Sequence, residues 1–137
     1  MPETVKTAAC YSLPAVNKAG EASTLLGALK EAGVNLLAFW GYPLKGKKAM
    51  FDIVPEDAKA FLKALKKLGI DPGAKKSAFF VAGEDRMGAL GETLGKLAAA
   101  GINVHAAQAT SAASGSYGAV IQVAEDDAKK AKKALGA

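Results

Sequence analysis

The sequence has little of what metal sites, disulfides and nucleophilic active sites are built from. Its 137 residues contain one cysteine and one histidine, too few for the clustered ligands that zinc requires. Cys10 has no second thiol to pair with and lies in an apolar segment, where a cysteine is typically a small core residue. We therefore expect no metal site, no cofactor and a reducing, cytoplasmic environment.

Long hydrophobic runs are absent as well, although half of the residues are hydrophobic. No stretch approaches the ~20 consecutive apolar residues that cross a bilayer. The first residues, MPETVKTAAC, lack the basic and apolar regions of a signal peptide. We expect a packed core, no membrane segment and no secretory leader.

Arginine is nearly missing, although the formal net charge is +5. The single arginine is Arg86, and the lysines gather at positions 45–48, 63–67, 75–76 and 129–133. Proteins that read nucleic acids typically use arginine for bidentate contacts and aromatic side chains for stacking. Because these lysines fall mainly on the polar sides of predicted helices, we expect a solvated surface and no nucleic-acid partner.

The motifs of common catalytic sites are missing too. There is no P-loop sequence, no GxGxxG fingerprint, and no Ser-His-Asp or Cys-His arrangement with a supporting signature. The acidic pairs Glu56-Asp57 and Asp126-Asp127 stand where helices are predicted to start, and the helix dipole explains them. We therefore expect that the protein is not an enzyme.

What the sequence does contain is an internal repeat. Residues 20–35 read GEASTLLGALKEAGVN and residues 88–103 read GALGETLGKLAAAGIN, a shift of 68 positions without a gap. Residues 54–59 resemble 123–129 with one residue inserted. A long period that occurs only twice indicates duplicated domains rather than a solenoid. We predict two units, 1–72 and 73–137.

Each half predicts the same order of elements, β-α-β-β-α, which is the split βαβ plan of the ferredoxin-like fold. The fold class is α+β, with antiparallel sheets covered by helices on one face. Little chain is left for a fourth strand after either second helix, so the fourth strands are expected to be short or missing. The resulting open sheet edge would be covered by the other unit or by a second chain. The predicted strands are 5–13, 35–42, 48–54, 77–82, 102–111 and 117–123, and the predicted helices are 21–32, 56–68, 85–100 and 126–135.

The segment GEDRMGAL at 83–90, followed by GINV at 101–104, resembles the ACT domain signature. In that family a strand leads into a D-R-x-G-x-L loop and a helix, which closes with G-I-N before the next strand. The match covers 76–123 and, by duplication, nearly the whole chain. The resemblance implies a stand-alone tandem ACT protein, a regulatory module that binds an amino acid between paired domains. It also implies a homodimer and, as a possible partner, a metabolic enzyme.

The candidate ligand-binding residues follow from this resemblance and fit its chemistry. A helix N-terminus offers free N–H groups to a carboxylate, and the Arg86 guanidinium can bind one with both nitrogens. In the first repeat Asn17-Lys18-Ala19-Gly20 replaces the D-R-M-G sequence, so we expect the second loop to dominate, with Asn35 completing the site across an interface. Structural roles remain open, since an aspartate at position 85 could simply cap its helix. The candidates are Asp85, Arg86, Met87, Gly88, Asn103, His105, Asn35 and Gly20.

Two alternative functions remain. An acylphosphatase-like enzyme would use Arg86 and Asn103 on a phosphoryl group, but two acids in the segment 80–85 replace the glycine-rich phosphate loop and would repel it. A protein–protein interaction or oligomerisation module without a ligand is also compatible with the open edges and the high alanine and glycine content. A ligand-independent dimer would support the latter.

Overall fold

The structure, a computed structural model, describes residues 3–137. It is an α+β fold, and the described chain forms six strands, four α-helices and one short 3₁₀ helix. No helix among these residues is long and apolar enough to cross a membrane. The strands are β1 (Thr4–Val16), β2 (Leu36–Pro43), β3 (Lys48–Pro55), β4 (Lys75–Glu84), β5 (Val104–Ser111) and β6 (Ser116–Val123), and the helices are α1 (Glu21–Glu31), α2 (Ala58–Leu68), α3 (Ala89–Ala99) and α4 (Ala128–Leu135).

The chain divides into two compact units, and the division falls inside β1. The first unit is Ala9–Lys75, and the second is Lys76–Ala137 together with residues 3–8. Compared with the division at residue 72 that the sequence predicts, the difference lies mainly in the first eight residues. In the sequence these residues precede the first repeat, whereas in the structure residues 3–8 belong to the second unit.

In the first unit the strands lie in the order β2-β3-β1 and pair antiparallel. Tyr11 of β1 and Phe39 of β2 both register with Ile53 of β3, and the rings of Tyr11 and Phe61 pack with centroids 5.3 Å apart. Because side chains alternate along a strand, every second residue of β1 and β3 meets the two helices. The buried core is Tyr11, Leu13, Leu29, Val34, Phe51, Ile53, Phe61, Ala64 and Leu65.

The second unit repeats this plan and gains a strand. Its order is β1-β4-β6-β5, where β1 contributes the residues before Ala9. Val5 packs against the core, and the Thr4 hydroxyl donates to the Ala82 carbonyl oxygen at 3.4 Å. The fourth position, expected to be short or missing, is therefore filled by the beginning of the chain. The buried core is Phe79, Val81, Ala89, Leu97, Ile102, Tyr117, Ala119, Ile121, Val123, Ala131 and Leu135.

In the first unit, the segment that follows α2 turns back along β1 instead of forming a strand. Gly73 has a φ of 68°, and a Cβ there would overlap the Ser12 carbonyl oxygen. The Gly73 N–H donates to the Asp71 side chain at 2.8 Å, and Ile70 packs against the core. A left-handed glycine lets the backbone make this close approach.

The helix starts differ in part from the prediction. Asp85 is not the N-cap of α3, so that prediction is wrong: α3 begins three residues later, with Gly88 in the left-handed conformation at the cap. Asp57 caps α2 by accepting from the Ala60 N–H at 3.2 Å. The last helix starts as a 3₁₀ turn at Glu125–Asp127 before α4 begins. Elsewhere, most element ends fall within about two residues of the prediction, as is usual for such boundaries.

Candidate functional site

The loop between β4 and α3 carries the predicted signature, and its backbone leaves the start of the helix accessible. Gly88 caps α3 with a φ of 79°, without a side-chain cap hydrogen bond, and a Cβ there would meet nothing within 4 Å. The Asp85 N–H donates to the Gly115 carbonyl oxygen at 2.9 Å, which ties the loop to the β5–β6 turn. The arrangement can present the first amides of α3 to a ligand.

The side chains of this loop face solvent. Arg86 is half exposed and forms an ion pair with Glu92 in the first turn of α3, and the hydrogen bond to Glu92 is the main cause of its raised pKa. Met87 is 99% exposed. An anionic ligand at this loop would therefore either share the Arg86 guanidinium with Glu92 or displace Glu92 from it.

The second predicted part of the site lies at the other end of the same helix. Asn103 follows α3 and precedes β5, whereas Arg86 precedes α3. A helix of 11 residues spans roughly 16 Å, so these two residues do not meet within one unit. His105 lies on β5, where the pairing register shifts between Val104 and Ala106, and Asn103 and His105 are both exposed.

The first unit repeats the loop backbone with different side chains. Gly20 caps α1 with a φ of 88°, and the Thr24 N–H donates to its carbonyl oxygen at 2.9 Å, as the Glu92 N–H does to Gly88 at 3.0 Å. Asn35 lies beyond the far end of α1 and donates through Nδ2 to the Glu56 carboxylate at 3.2 Å. The duplication thus preserves the glycine geometry, while Asn35 already has an acidic partner.

A polar cluster that the sequence did not predict lies next to the β4–α3 loop. Thr93 donates to one oxygen of Glu3 at 3.1 Å, and Tyr117 donates to the other. Burial, followed by the hydrogen bond to Glu3, raises the pKa of Tyr117 to about 12. Glu3 lies 90 and 114 positions from these partners, so no local motif signals the cluster.

The first unit holds a second unpredicted cluster around a buried acid. Asp52 on β3 is 4% exposed and accepts from the Ser12 hydroxyl at 2.5 Å. Burial and a hydrogen bond to Asp52 raise the pKa of Tyr42. A carboxylate this deeply buried is normally tolerated only with such donors.

Metal ligands do not gather in the part of the chain that is described. Residues 3–137 contain no group of three or more histidine, cysteine, aspartate or glutamate side chains that could hold an ion. Cys10 is fully buried, which confirms that it is a core residue. At the β4–α3 loop, backbone amides and the Arg86 guanidinium are groups of the kind that bind anions.

Comparison with solved structures shows what class of fold this is. Protein BT0572 from Bacteroides thetaiotaomicron is similar over 94% of this chain and 88% of its own, with a TM-score of 0.75 and 20% identity. The regulatory subunit of aspartate kinase from Thermus thermophilus, in its ligand-free form, is similar over 98% and 94%, with a TM-score of 0.63 and 14% identity. The corresponding subunit from Thermus flavus covers 99% and 95%, with a TM-score of 0.64 and 14% identity.

These similarities define the fold as that of aspartate kinase regulatory subunits, which is consistent with an ACT-like arrangement. No protein-family model and no curated protein matches the chain.

Proposed function

We propose that this protein is a regulatory, non-catalytic protein that binds an amino acid at its β4–α3 loop. The observation that carries the proposal is the left-handed Gly88 at the cap of α3, beside Arg86, where no side chain caps the helix and the space around Gly88 is open. Similarity in fold to regulatory subunits of aspartate kinase supports a regulatory role. Asp85, Met87 and Gly20 are the other loop residues that we assign to ligand binding.

The ligand's carboxylate would lie on the first amides of α3, where the helix dipole favours a negative charge. Arg86 would release Glu92 and hold the same carboxylate with two parallel hydrogen bonds. Asp85 would then face the ligand's amino group. These separate roles explain why an acidic residue, Asp85, and a positively charged residue, Arg86, precede Gly88.

A second surface must close the site, because one unit separates its loop from its turn by the length of a helix. We assign that role to the turn residues Asn103, His105 and Asn35 of a paired unit or of a second chain. A homodimer would supply four such units, and a metabolic enzyme would be the target of regulation. This proposal includes the two ferredoxin-like units that the sequence predicts, at 1–72 and 73–137.

The test is a thermal-shift screen of the purified protein against the common amino acids. A ligand present at 100 times its Kd adds about 2.7 kcal/mol to the free energy of unfolding, which is several degrees in Tm for a chain of this size. Arg86→Ala should abolish the shift, whereas Lys18→Ala, the equivalent change in the first loop, should leave most of it. No shift with any amino acid would overturn the proposal.

A ligand-free interaction module is the second candidate, and one observation favours it. β5 is an edge strand of the second unit, and all its residues after Val104 are exposed. An exposed edge offers unpaired backbone groups to another strand. Sedimentation that shows a dimer without ligand, together with a silent amino-acid screen, would select this candidate. The acylphosphatase-like alternative would instead require hydrolysis of an acyl phosphate by the purified protein.

A further inference from the structure

The carboxylate of Glu3 lies partly buried in the second unit between two hydroxyl groups. Thr93 donates to one of its oxygens at 3.1 Å and Tyr117 donates to the other. Thr93 is 1% exposed and Tyr117 is 7% exposed, so both donors belong to the interior. Two buried donors, one for each oxygen, match the acceptor pattern of an ionised carboxyl group.

The two equivalent positions in the first unit carry no hydroxyl group. Thr93 stands 68 positions after Leu25, and Tyr117 stands 68 positions after Ala49, the shift that relates the two repeats. Ala49 is buried beside β1 just as Tyr117 is buried beside β4. The fold therefore does not require hydroxyl groups at these two positions, and their presence in the second unit is a specific feature of that unit.

The first unit also shows that this position is a pocket. Leu25 lines a cavity of about 270 Å³ together with Leu13, Phe51 and Ile70, and with Glu21 as its one charged residue. In the second unit Glu3 contacts the counterparts of two residues that line this cavity: it accepts from Thr93, the counterpart of Leu25, and it passes Gly83, the counterpart of Ala15, where a Cβ would lie 3.3 Å from the Glu3 Cγ. Because Gly83 has no side chain, the second unit has room for a group that carries a carboxylate at this place.

The pocket can lose its occupant without leaving Thr93 unsatisfied. The Thr93 hydroxyl also lies 3.4 Å from the Ala89 carbonyl oxygen, an acceptor in its own helix. The positive charge of Arg86 acts on both Glu3 and Tyr117, and Arg86 itself pairs with Glu92. The surroundings therefore favour an anion there, whichever molecule carries it.

From these contacts we infer that Thr93 and Tyr117 form a carboxylate-binding pocket, which Glu3 occupies and which a small free carboxylate can occupy when Glu3 leaves. The ligand class is a small monocarboxylate, the carboxylate of an amino acid included. This pocket is separate from the β4–α3 loop site, and the inference does not depend on the function proposed for that loop.

The experiment replaces Glu3 and supplies acetate. Glu3→Ala should lower Tm, and acetate should restore about 3 °C or more relative to chloride at equal ionic strength. Wild type should gain less than Glu3→Ala, because its own carboxylate fills the pocket, and any acetate held at the β4–α3 loop acts on both proteins alike. Glu3→Gln should respond little, because the amide still fills the space.

Two further variants identify the donors. Adding Thr93→Val to Glu3→Ala should remove most of the acetate effect. Adding Ser77→Ala, which deletes a hydroxyl of the same unit that donates to Glu125 instead, should preserve it. If acetate acts no better than chloride on Glu3→Ala, or equally with and without the Thr93 hydroxyl, the inference is wrong.

A direct readout remains if the Glu3→Ala chain is too unstable for melting curves. The near-ultraviolet difference spectrum of Tyr117 should change saturably with acetate, and it should vanish in Glu3→Ala/Tyr117→Phe. A linear, unsaturable change would contradict the inference. Since Arg86 is intact in every variant, any acetate bound at the β4–α3 loop is common to all of them, and the differences between variants report on the Thr93–Tyr117 pocket whatever the amino-acid screen shows.

Discussion

Gly73 lies so close to Ser12 that any side chain at position 73 would meet the Ser12 carbonyl oxygen. The contact joins the segment after α2 to the middle of β1 within the first unit. This segment takes the place where the sequence left a fourth strand short or missing. Its path depends on one glycine, because only glycine combines a positive φ with a backbone approach of this kind.

Gly73→Ala should destabilise the protein strongly. A left-handed φ costs an alanine about 1–2 kcal/mol, and at 73 the overlap with backbone that cannot move aside adds to this cost. Gly46→Ala is the matched control, since Gly46 has a φ of 79° but open space around its Cβ position. Chemical denaturation should show at least twice the loss for Gly73→Ala. Equal losses would mean that the close approach to Ser12 does not matter.

Removing the buried acid of the first unit should be costly too. Asp52→Ala leaves the Ser12 hydroxyl without the partner it has at 2.5 Å, and an unsatisfied buried donor costs about 1–3 kcal/mol. In the double variant Ser12→Ala/Asp52→Ala the cost should be smaller than the sum of the two single changes. Strict additivity in urea unfolding would show that the two side chains do not interact.

The free energy of unfolding should fall at high pH because of the raised pKa of Tyr117. Its pKa rises from 10.0 in the unfolded chain to about 12 in the folded protein, so below pH 10 both states are protonated and its contribution is complete. As pH rises from 10 to 12, the unfolded chain loses the proton first, and stability declines by on the order of 2 kcal/mol. Unfolding free energies measured across this window should show a shallower slope in Tyr117→Phe. An unchanged slope would contradict the assignment.

The two aspartates near helix starts should behave differently. Asp57→Ala removes the side-chain cap of α2 and should cost about 1 kcal/mol. Asp85→Ala removes no cap of α3, so its effect on unfolding should stay within about 0.5 kcal/mol, while any amino-acid affinity of the loop should drop. Comparable losses of stability in both variants would restore the capping role for Asp85.

Much of the fold follows from local patterns in the sequence. The repeat, the order of the elements and the burial of Cys10 can be predicted from periodicity and composition. Both are properties of residues that lie close together in the sequence. Gly20 and Gly88 were also predictable as special positions, since both repeats keep a glycine at the start of the helix. The regulatory-subunit fold agrees with the resemblance carried by the same loop.

The rest depended on contacts between distant parts of the chain. Glu3 lies in a stretch with no motif, and only the packed structure brings it to Thr93 and Tyr117. The helix start at Asp85 was predicted wrongly because aspartate is a favoured N-cap residue. Instead, the left-handed Gly88 is the N-cap, so the helix begins later in the chain. Helix propensity alone does not determine this position.

β1 has a consequence for how this protein can be dissected. Because residues before Ala9 belong to the second unit and those from Ala9 onward to the first, no single cut between the repeats yields two complete pieces. A fragment made of the second repeat alone would lack an outer strand, and a separate peptide carrying the opening residues should be able to supply it. The sequence repeat and the compact unit thus have different boundaries, because the two units share the strand β1.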